Sequence, residues 1–332
     1  MIVVKFTDSS SKIHQILCYS HFFASSSDLY LKVDDENIQI CYGYPVSTSV
    51  YSSNLLVSQE IPIKGLIYRY ILYVLSFCNF SGEFVPIASR KFPLYKGTDD
   101  SRVLYISGLA LQLAKSDHDK TMDIANGIVS HLSAMGDGVF QVEVVPPGWI
   151  HLELTHAFLA AWLQNLVVKS VGEDGEREKA KITMLNPSSL FMIQYAHARC
   201  CSLVRLAHHE GLIKLKEVHQ PDLTSLVSVE KIPWLNDEQK LRFTHPAEGR
   251  LITELVEAVD NLECSGTVNW EKVALDLSRA FEAFWCRCRI LGEVKITSLE
   301  LAQARVGLIM ATQSVLRCLL VDKLGVFAPL EL

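Results

Sequence analysis

The sequence predicts an α+β amino-terminal part followed by an all-α helical bundle. Three observations carry that expectation. Helical patterns recur over residues 186–206, 247–262, 270–291 and 299–320, and amphipathic helices in that number can bury their stripes only against one another. The first half instead mixes short β-branched runs with helical patterns. Between the halves, residues 171–181 read Val-Gly-Glu-Asp-Gly-Glu-Arg-Glu-Lys-Ala-Lys, mixed charge with two glycines and no apolar stripe, the texture of a linker or exposed loop. The expected organisation is therefore a β-containing segment over residues 1–60, an α+β domain over 61–170, a linker over 171–185 and the bundle over 186–332.

A chain of 332 residues with 49% hydrophobic and 20% charged residues can bury sizeable cores and suits two or three globular domains. The net charge of -6 gives no global attraction to phosphate, so any nucleic-acid contact has to use a local patch. Nine cysteines include the vicinal pair Cys200-Cys201 and Cys286-x-Cys288 but no pair of Cys-x-x-Cys motifs, which fits reduced thiols and a cytoplasmic protein better than disulfides or zinc. The amino terminus reaches polar residues too soon for a signal-peptide core, and the apolar run over 65–80 is interrupted by Arg69 and falls short of a membrane span, so no membrane association is expected.

Taken in order, residues 1–60 have a strand-and-turn texture, as in Leu29-Tyr-Leu-Lys-Val and Asn37-Ile-Gln-Ile-Cys-Tyr. His14, His21 and Asp28 lack the close, regular spacing of metal ligands and read as surface or packing residues. A buried helix is expected over 66–78, an extended segment up to Gly97, and helices over 103–115 and 122–132. Residues 142–154 alternate as two strand pieces around Pro146-Pro147-Gly148, and a helix follows over 155–168. Asn186 and Pro187 are helix-start residues: the asparagine oxygen accepts from a free first-turn amide, and proline has no amide to strand. In the helix they open, Leu190, Ile193, Ala196, Cys200, Leu203 and Val204 share an inward face, while Tyr195, Arg199 and Ser202 lie on another. Residues 218–241 read as a loop. In the last helix Thr297 and Glu300 are spaced as a capping box, and Gly325 is a plausible stop.

No phosphate-binding Gly-x-x-x-x-Gly-Lys loop, Gly-x-Ser-x-Gly elbow or His-Glu-x-x-His zinc helix is present. His208-His209-Glu210 are consecutive, so on a helix their side chains diverge, and a surface cluster is the better reading than a metal site. Arg287 and Arg289 beside Cys286 and Cys288 raise the alternative of a lowered thiol pKa. No cofactor or metal is expected.

Several strings resemble arginyl-tRNA synthetases. Gln194-Tyr195-Ala196-His197-Ala198-Arg199 is similar to the opening helix of that family's DALR-type anticodon-binding domain. Phe281-Glu-Ala-Phe284-Trp285-Cys286-Arg287-Cys288-Arg289-Ile290-Leu291 resembles its Phe-x-x-Phe-Tyr-x-x-Cys-Arg-Val-Leu segment, and residues 324–332 its Leu-Gly-Ile-x-Ala-Pro-Glu-Arg-Met end. Upstream, Ala110-Leu-Gln-Leu-Ala114-Lys, Ile124-Ala125 and Pro147-Gly148-Trp149-Ile150-His151 follow the order of the family's additional amino-terminal domain. The resemblance implies a DALR-type anticodon-binding bundle behind an additional domain, covering roughly residues 100–165 and 186–332.

It also implies sites. Trp149 and His151 stand where the additional domain contacts the elbow of tRNA, an aromatic to stack on an unpaired base and a polar neighbour to read its edge. Gln194, Tyr195, Ala198, Arg199, Trp285 and Leu332 match the frame of a pocket for an unstacked anticodon base, with Arg287 and Arg289 supplying further guanidinium contacts. The alternative for Trp149, Tyr195 and Trp285 is plain packing. Trp285 stands where the family has Tyr, and Leu332 where it has Met.

Aminoacylation is not expected. The family's His-x-Gly-His and Lys-Met-Ser-Lys-Ser elements are missing, and the short segment between the two matched stretches cannot hold the βαβ units of a nucleotide-binding domain. The implied function is non-catalytic binding of tRNA, tRNA-Arg first, or of another structured RNA. Two alternatives remain open: a protein-interaction or assembly factor that kept the fold without RNA, and an accessory part of an arginine-tRNA ligase whose catalytic domain is on another chain.

Overall fold

The structure is a computed structural model; it describes residues 62–77, 92–99, 101–114, 118–168, 185–220, 223–228, 231–262 and 267–332, together with four strands before residue 43. The charged segment 171–181, the turn at Asn79-Phe-Ser-Gly, His21 and Asp28 lie outside the described residues. Contacts divide the chain into Met1–Val57 and Ser58–Leu332. In the first unit, β1 (Ile2–Thr7) pairs antiparallel with β2 (Ile13–Cys18), and β3 (Leu29–Asp34) with β4 (Asn37–Tyr42).

The second unit starts with α1 (Ile63–Phe77), whose Ile63, Ile67, Ile71 and Val74 recur at three- and four-residue steps and are buried. A four-stranded antiparallel sheet follows in the order β5-β6-β8-β7, from β5 (Leu94–Lys96), β6 (Leu104–Ser107), β7 (Phe140–Val145) and β8 (Trp149–Leu154). Along β8, Ile150, Leu152 and Leu154 are buried while Trp149, His151 and Glu153 are half-buried on the other face, the alternation of a sheet with one covered side. Helices α2 (Leu109–Ala114), α3 (His118–Met135) and α4 (His156–Val168) complete this part.

The helix expected over 103–115 is thus a strand and a short helix. Leu104-Tyr-Ile-Ser is rich in strand formers and pairs with both β5 and β8, and the chain turns into α2 at Gly108. An added Cβ at Gly108 would lie 3.0 Å from the Trp149 ring, a tight contact that the ring would have to give way to.

The bundle comprises α5 (Pro187–His209), α6 (Pro246–Leu262), α7 (Trp270–Arg287), the short α8 (Glu293–Thr297) and α9 (Leu299–Cys318), which runs on as a π-helical turn over Leu319–Lys323. Asn186 caps α5 as expected, accepting from the Ser188 amide at 2.9 Å, and Asn269 does the same for α7 through Lys272. At Gly325 the backbone is left-handed (φ 66°) and the Val326 amide closes onto the Leu320 carbonyl, ending the helix where the sequence expects.

Two expectations fail here. Residues 218–241 are not simply a loop: β9 (Leu215–Gln220) and β10 (Leu223–Ser228) form an antiparallel hairpin inserted into the bundle. Nor do Thr297 and Glu300 form a capping box. Ser298 occupies the cap of α9 without a side-chain bond, the Thr297 hydroxyl donates back to the Glu293 carbonyl, and Glu300 pairs with Arg242 at 2.5 Å. The intervening α8 claims Thr297 for its own last turn.

Buried residues line nearly the whole circumference of α9, which is the central helix of the bundle. Leu299–Lys323 is the one helix among the described residues long and apolar enough to cross a membrane, and its most apolar window is 72% buried inside the protein. The sheet part and the bundle meet directly. Helix α4 packs against α9, with Leu159, Leu163 and Leu166 among its buried residues, and Gln164 Oε1 accepts from the Ile232 amide and Trp234 Nε1. On the other side of the junction α6 faces α1 and the sheet: Lys96 Nζ donates to the Thr253 carbonyl and pairs with Glu257, while Asp260 accepts from the Lys64 amide and the Tyr105 hydroxyl.

Candidate nucleic-acid interface

Helices α5 and α7 pack side by side, and a groove of about 280 Å³ runs between them. From α5 it is lined by Phe191, Met192, Tyr195, Ala196 and Arg199, and from α7 by Ser278, Phe281, Glu282 and Trp285. The spacing explains the set: residues three and four apart share a helical face, so Phe191, Tyr195 and Arg199 stand one above another, as do Ser278, Phe281 or Glu282, and Trp285. Phe281 is buried and forms the floor, whereas Phe191, Tyr195 and Trp285 are 60%, 48% and 36% exposed. The Phe191 and Tyr195 rings lie nearly parallel with centroids 6.1 Å apart.

Arg199 closes one end. Its guanidinium carbon sits 4.1 Å from the Trp285 ring centroid, a cation–π contact between a flat cation and the best of the aromatic faces. Its Nε is buried without a hydrogen-bond partner. A buried donor left unmade costs about 1–3 kcal/mol, so an acceptor entering this groove recovers energy that the free protein forgoes.

Tyr195, Arg199 and Trp285 are therefore brought together as the sequence suggests. Gln194 does different work: its side-chain amide donates to the Phe327 carbonyl and ties down the segment after α9. The His197 ring N–H donates to the Pro329 carbonyl from a fully buried position, where burial lowers its pKa and keeps it neutral, and Arg205 bonds the Leu330 carbonyl and pairs with Glu331. Ala198 is buried away from solvent. Arg287 and Arg289 are exposed at and just beyond the end of α7, and Leu332 is exposed at the end of the tethered segment.

Trp149 and His151 lie on the sheet, on the face opposite Ile150 and Leu152. Trp149 leans over Gly108, and His151 sits opposite both Ile106 and Glu143, with Nδ1 3.5 Å from the Glu143 carboxylate. The same face carries the exposed Tyr95 on β5, opposite Ile106. Phe191, Met192, Ser278, Phe281 and Glu282 line the groove without having been singled out from the sequence. Stepping three or four residues from Tyr195 and Trp285 along their helices finds Phe191, Phe281 and Glu282.

The alternative of a lowered thiol pKa is not met at Cys288. Cys288 is buried, and burial pushes its thiol up to about 11, with Glu248 adding to the rise and Arg305 and Arg287 too weak to offset it. His208 Nδ1 lies 3.2 Å from the Ile213 carbonyl, and Glu210 pairs with Lys295 at 3.0 Å, so those two side chains turn to separate partners.

Residues 193–332 match the DALR anticodon binding domain family. The chain is similar to the arginine–tRNA ligase of Synechococcus sp. (33% identity over 153 residues, covering 45% of this chain and 23% of the relative). It also resembles those of Ruminiclostridium cellulolyticum (29% over 182 residues, 49% and 28%) and Methanocaldococcus jannaschii (31% over 137 residues, 41% and 20%). The chain thus spans about a quarter of the length of these relatives. No solved structure matches it.

Proposed function

We propose that this chain binds tRNA, tRNA-Arg first, or another structured RNA, and does not aminoacylate it. The observation that carries the reading is the α5–α7 groove: two exposed aromatic side chains, Tyr195 and Trp285, flank an arginine whose buried Nε has no partner. Aromatic faces stack on unpaired bases regardless of their identity, and a guanidinium supplies donors to base acceptors or phosphate. The match to an anticodon-binding family over the same residues points the same way. Lack of the family's two nucleotide-handling motifs supports a non-catalytic role. The free thiols of Cys200, Cys201, Cys286, Cys288 and Cys318 suit a cytoplasmic setting.

The test is binding of the purified chain to tRNA-Arg and to an unrelated tRNA across a salt series, beside a Trp285→Ala, Arg199→Ala variant. Stacking is worth about 1–3 kcal/mol per base, so the variant should bind at least several-fold more weakly; a salt slope lowered by about one would mean that Arg199 pairs with a phosphate, an unchanged slope that it pairs with a base. Unchanged binding in the variant would place the RNA elsewhere; no binding at low salt would remove the reading.

A protein partner is the second reading. Phe327 is 75% exposed beside the exposed Leu330, and Ile296 is 85% exposed near Leu299, so large apolar side chains face solvent at two places on the bundle. It takes over if RNA fails to bind and a copurifying chain, such as a separate catalytic subunit, is lost when Phe327 or Ile296 is made charged.

A further inference from the structure

We infer that Glu282 is a specificity-determining residue of the α5–α7 groove, admitting an unstacked base that carries an exocyclic amine in preference to uracil. The inference rests on the RNA-binding reading and goes beyond it by assigning the chemical class of base. Glu282 is the one acidic side chain lining the groove, is exposed, and among the described residues has no hydrogen-bond or ion-pair partner. It stands one helical turn before Trp285, beside the surface on which a base would stack.

A carboxylate only accepts hydrogen bonds. At the lip of a stacking groove it therefore repels a phosphate and asks for N–H donors. Cytosine, adenine and guanine each offer an exocyclic amine. Uracil offers a single ring N–H between two carbonyl oxygens, so a carboxylate reaching it also meets their lone pairs. Arg199, across the same groove, supplies the complementary donors for the acceptor atoms of the base. Donor on one wall and acceptor on the other make the groove a reader of a base edge rather than a plain phosphate site.

The experiment uses hairpin RNAs of identical stem whose loops are all cytosine, all adenine or all uracil, titrated against the full chain and its Glu282→Gln and Trp285→Ala variants. The exposed Glu282→Gln change keeps size and shape but presents a donor as well as an acceptor, and circular dichroism verifies its fold. The wild-type protein should prefer cytosine and adenine loops over uracil by roughly tenfold or more, the scale of a hydrogen bond to a charged group. In Glu282→Gln the preference should shrink to within about threefold, mainly because the uracil loop gains. If Trp285→Ala abolishes binding but the wild type shows no preference, or Glu282→Gln keeps it, the role of Glu282 is overturned while RNA binding in the groove stands. If no hairpin binds, the RNA-binding reading fails first and this inference with it; if hairpins bind but Trp285→Ala changes nothing, the RNA sits elsewhere on the protein and this inference falls with the groove.

Discussion

Gly307 lies where α9 packs against Ile232 and Trp234 of the segment leading into α6. An added Cβ there would lie 2.6 Å from the Trp234 ring and 2.8 Å from an Ile232 methyl. The ring cannot swing aside freely, because Trp234 Nε1 donates to Gln164 on α4. Gly307→Ala gains about 1 kcal/mol of helix propensity, yet overpacking a filled site costs about 1–3 kcal/mol, so net destabilisation is expected. A urea titration should show a lower midpoint with an unchanged slope. Side-chain scale is also where the site was only half legible. Tyr195, Arg199 and Trp285 could be read from the resemblance, because residue type and helical phase were both given. That Gln194 would turn to a backbone carbonyl depends on how the segment after α9 lies across α5, and no local pattern encodes that contact.

Helix α5 shows what an element owes to its ends. Pro187 fixes the first turn and the Asn186 side chain satisfies the Ser188 amide, so Asn186→Ala should cost about 1 kcal/mol, seen as a lowered thermal midpoint, whereas Asn186→Asp should be nearly neutral. Such a start was readable because Asn-Pro before an apolar stripe has a single mechanism. At the start of α9 the spacing of Thr297 and Glu300 misleads, because α8 ends at Thr297 and Arg242 draws Glu300 away. Strands were the harder elements. The β6 residues have apolar density that fits either a helix or a strand, and what decides is antiparallel pairing with β5 just before it in the chain and with the distant β8. The hairpin of β9 and β10 carries too many polar residues to announce a core face.

At the scale of the whole second unit, the sheet part and the bundle are joined through a buried carboxylate. Asp260 of α6 accepts from the Lys64 amide at the start of α1 and from the Tyr105 hydroxyl on β6, with Lys96 of β5 pairing with Glu257 alongside. Burial raises the Asp260 pKa to about 6 from an ordinary 3.8; the hydrogen bonds from Tyr105 and Lys64 pull it down but do not outweigh desolvation, and Glu257 adds to the rise. A carboxyl whose pKa is higher folded than unfolded binds more protons in the folded state, so its contribution is fully present below about pH 4 and is lost as pH rises through about 6. The difference amounts to about 3 kcal/mol. Asp260→Asn keeps an acceptor for the Lys64 amide and a polar partner for Tyr105 but has no proton to lose. Relative to wild type, the variant should therefore gain stability progressively between about pH 4 and 6, by on the order of 3 kcal/mol, with no further change above that range. Denaturant titrations of both proteins at half-unit pH intervals measure this. A stability difference that stays level from pH 4 to 7 would mean that the carboxyl at the junction does not titrate with folding, and that the junction's dependence on pH lies outside Asp260.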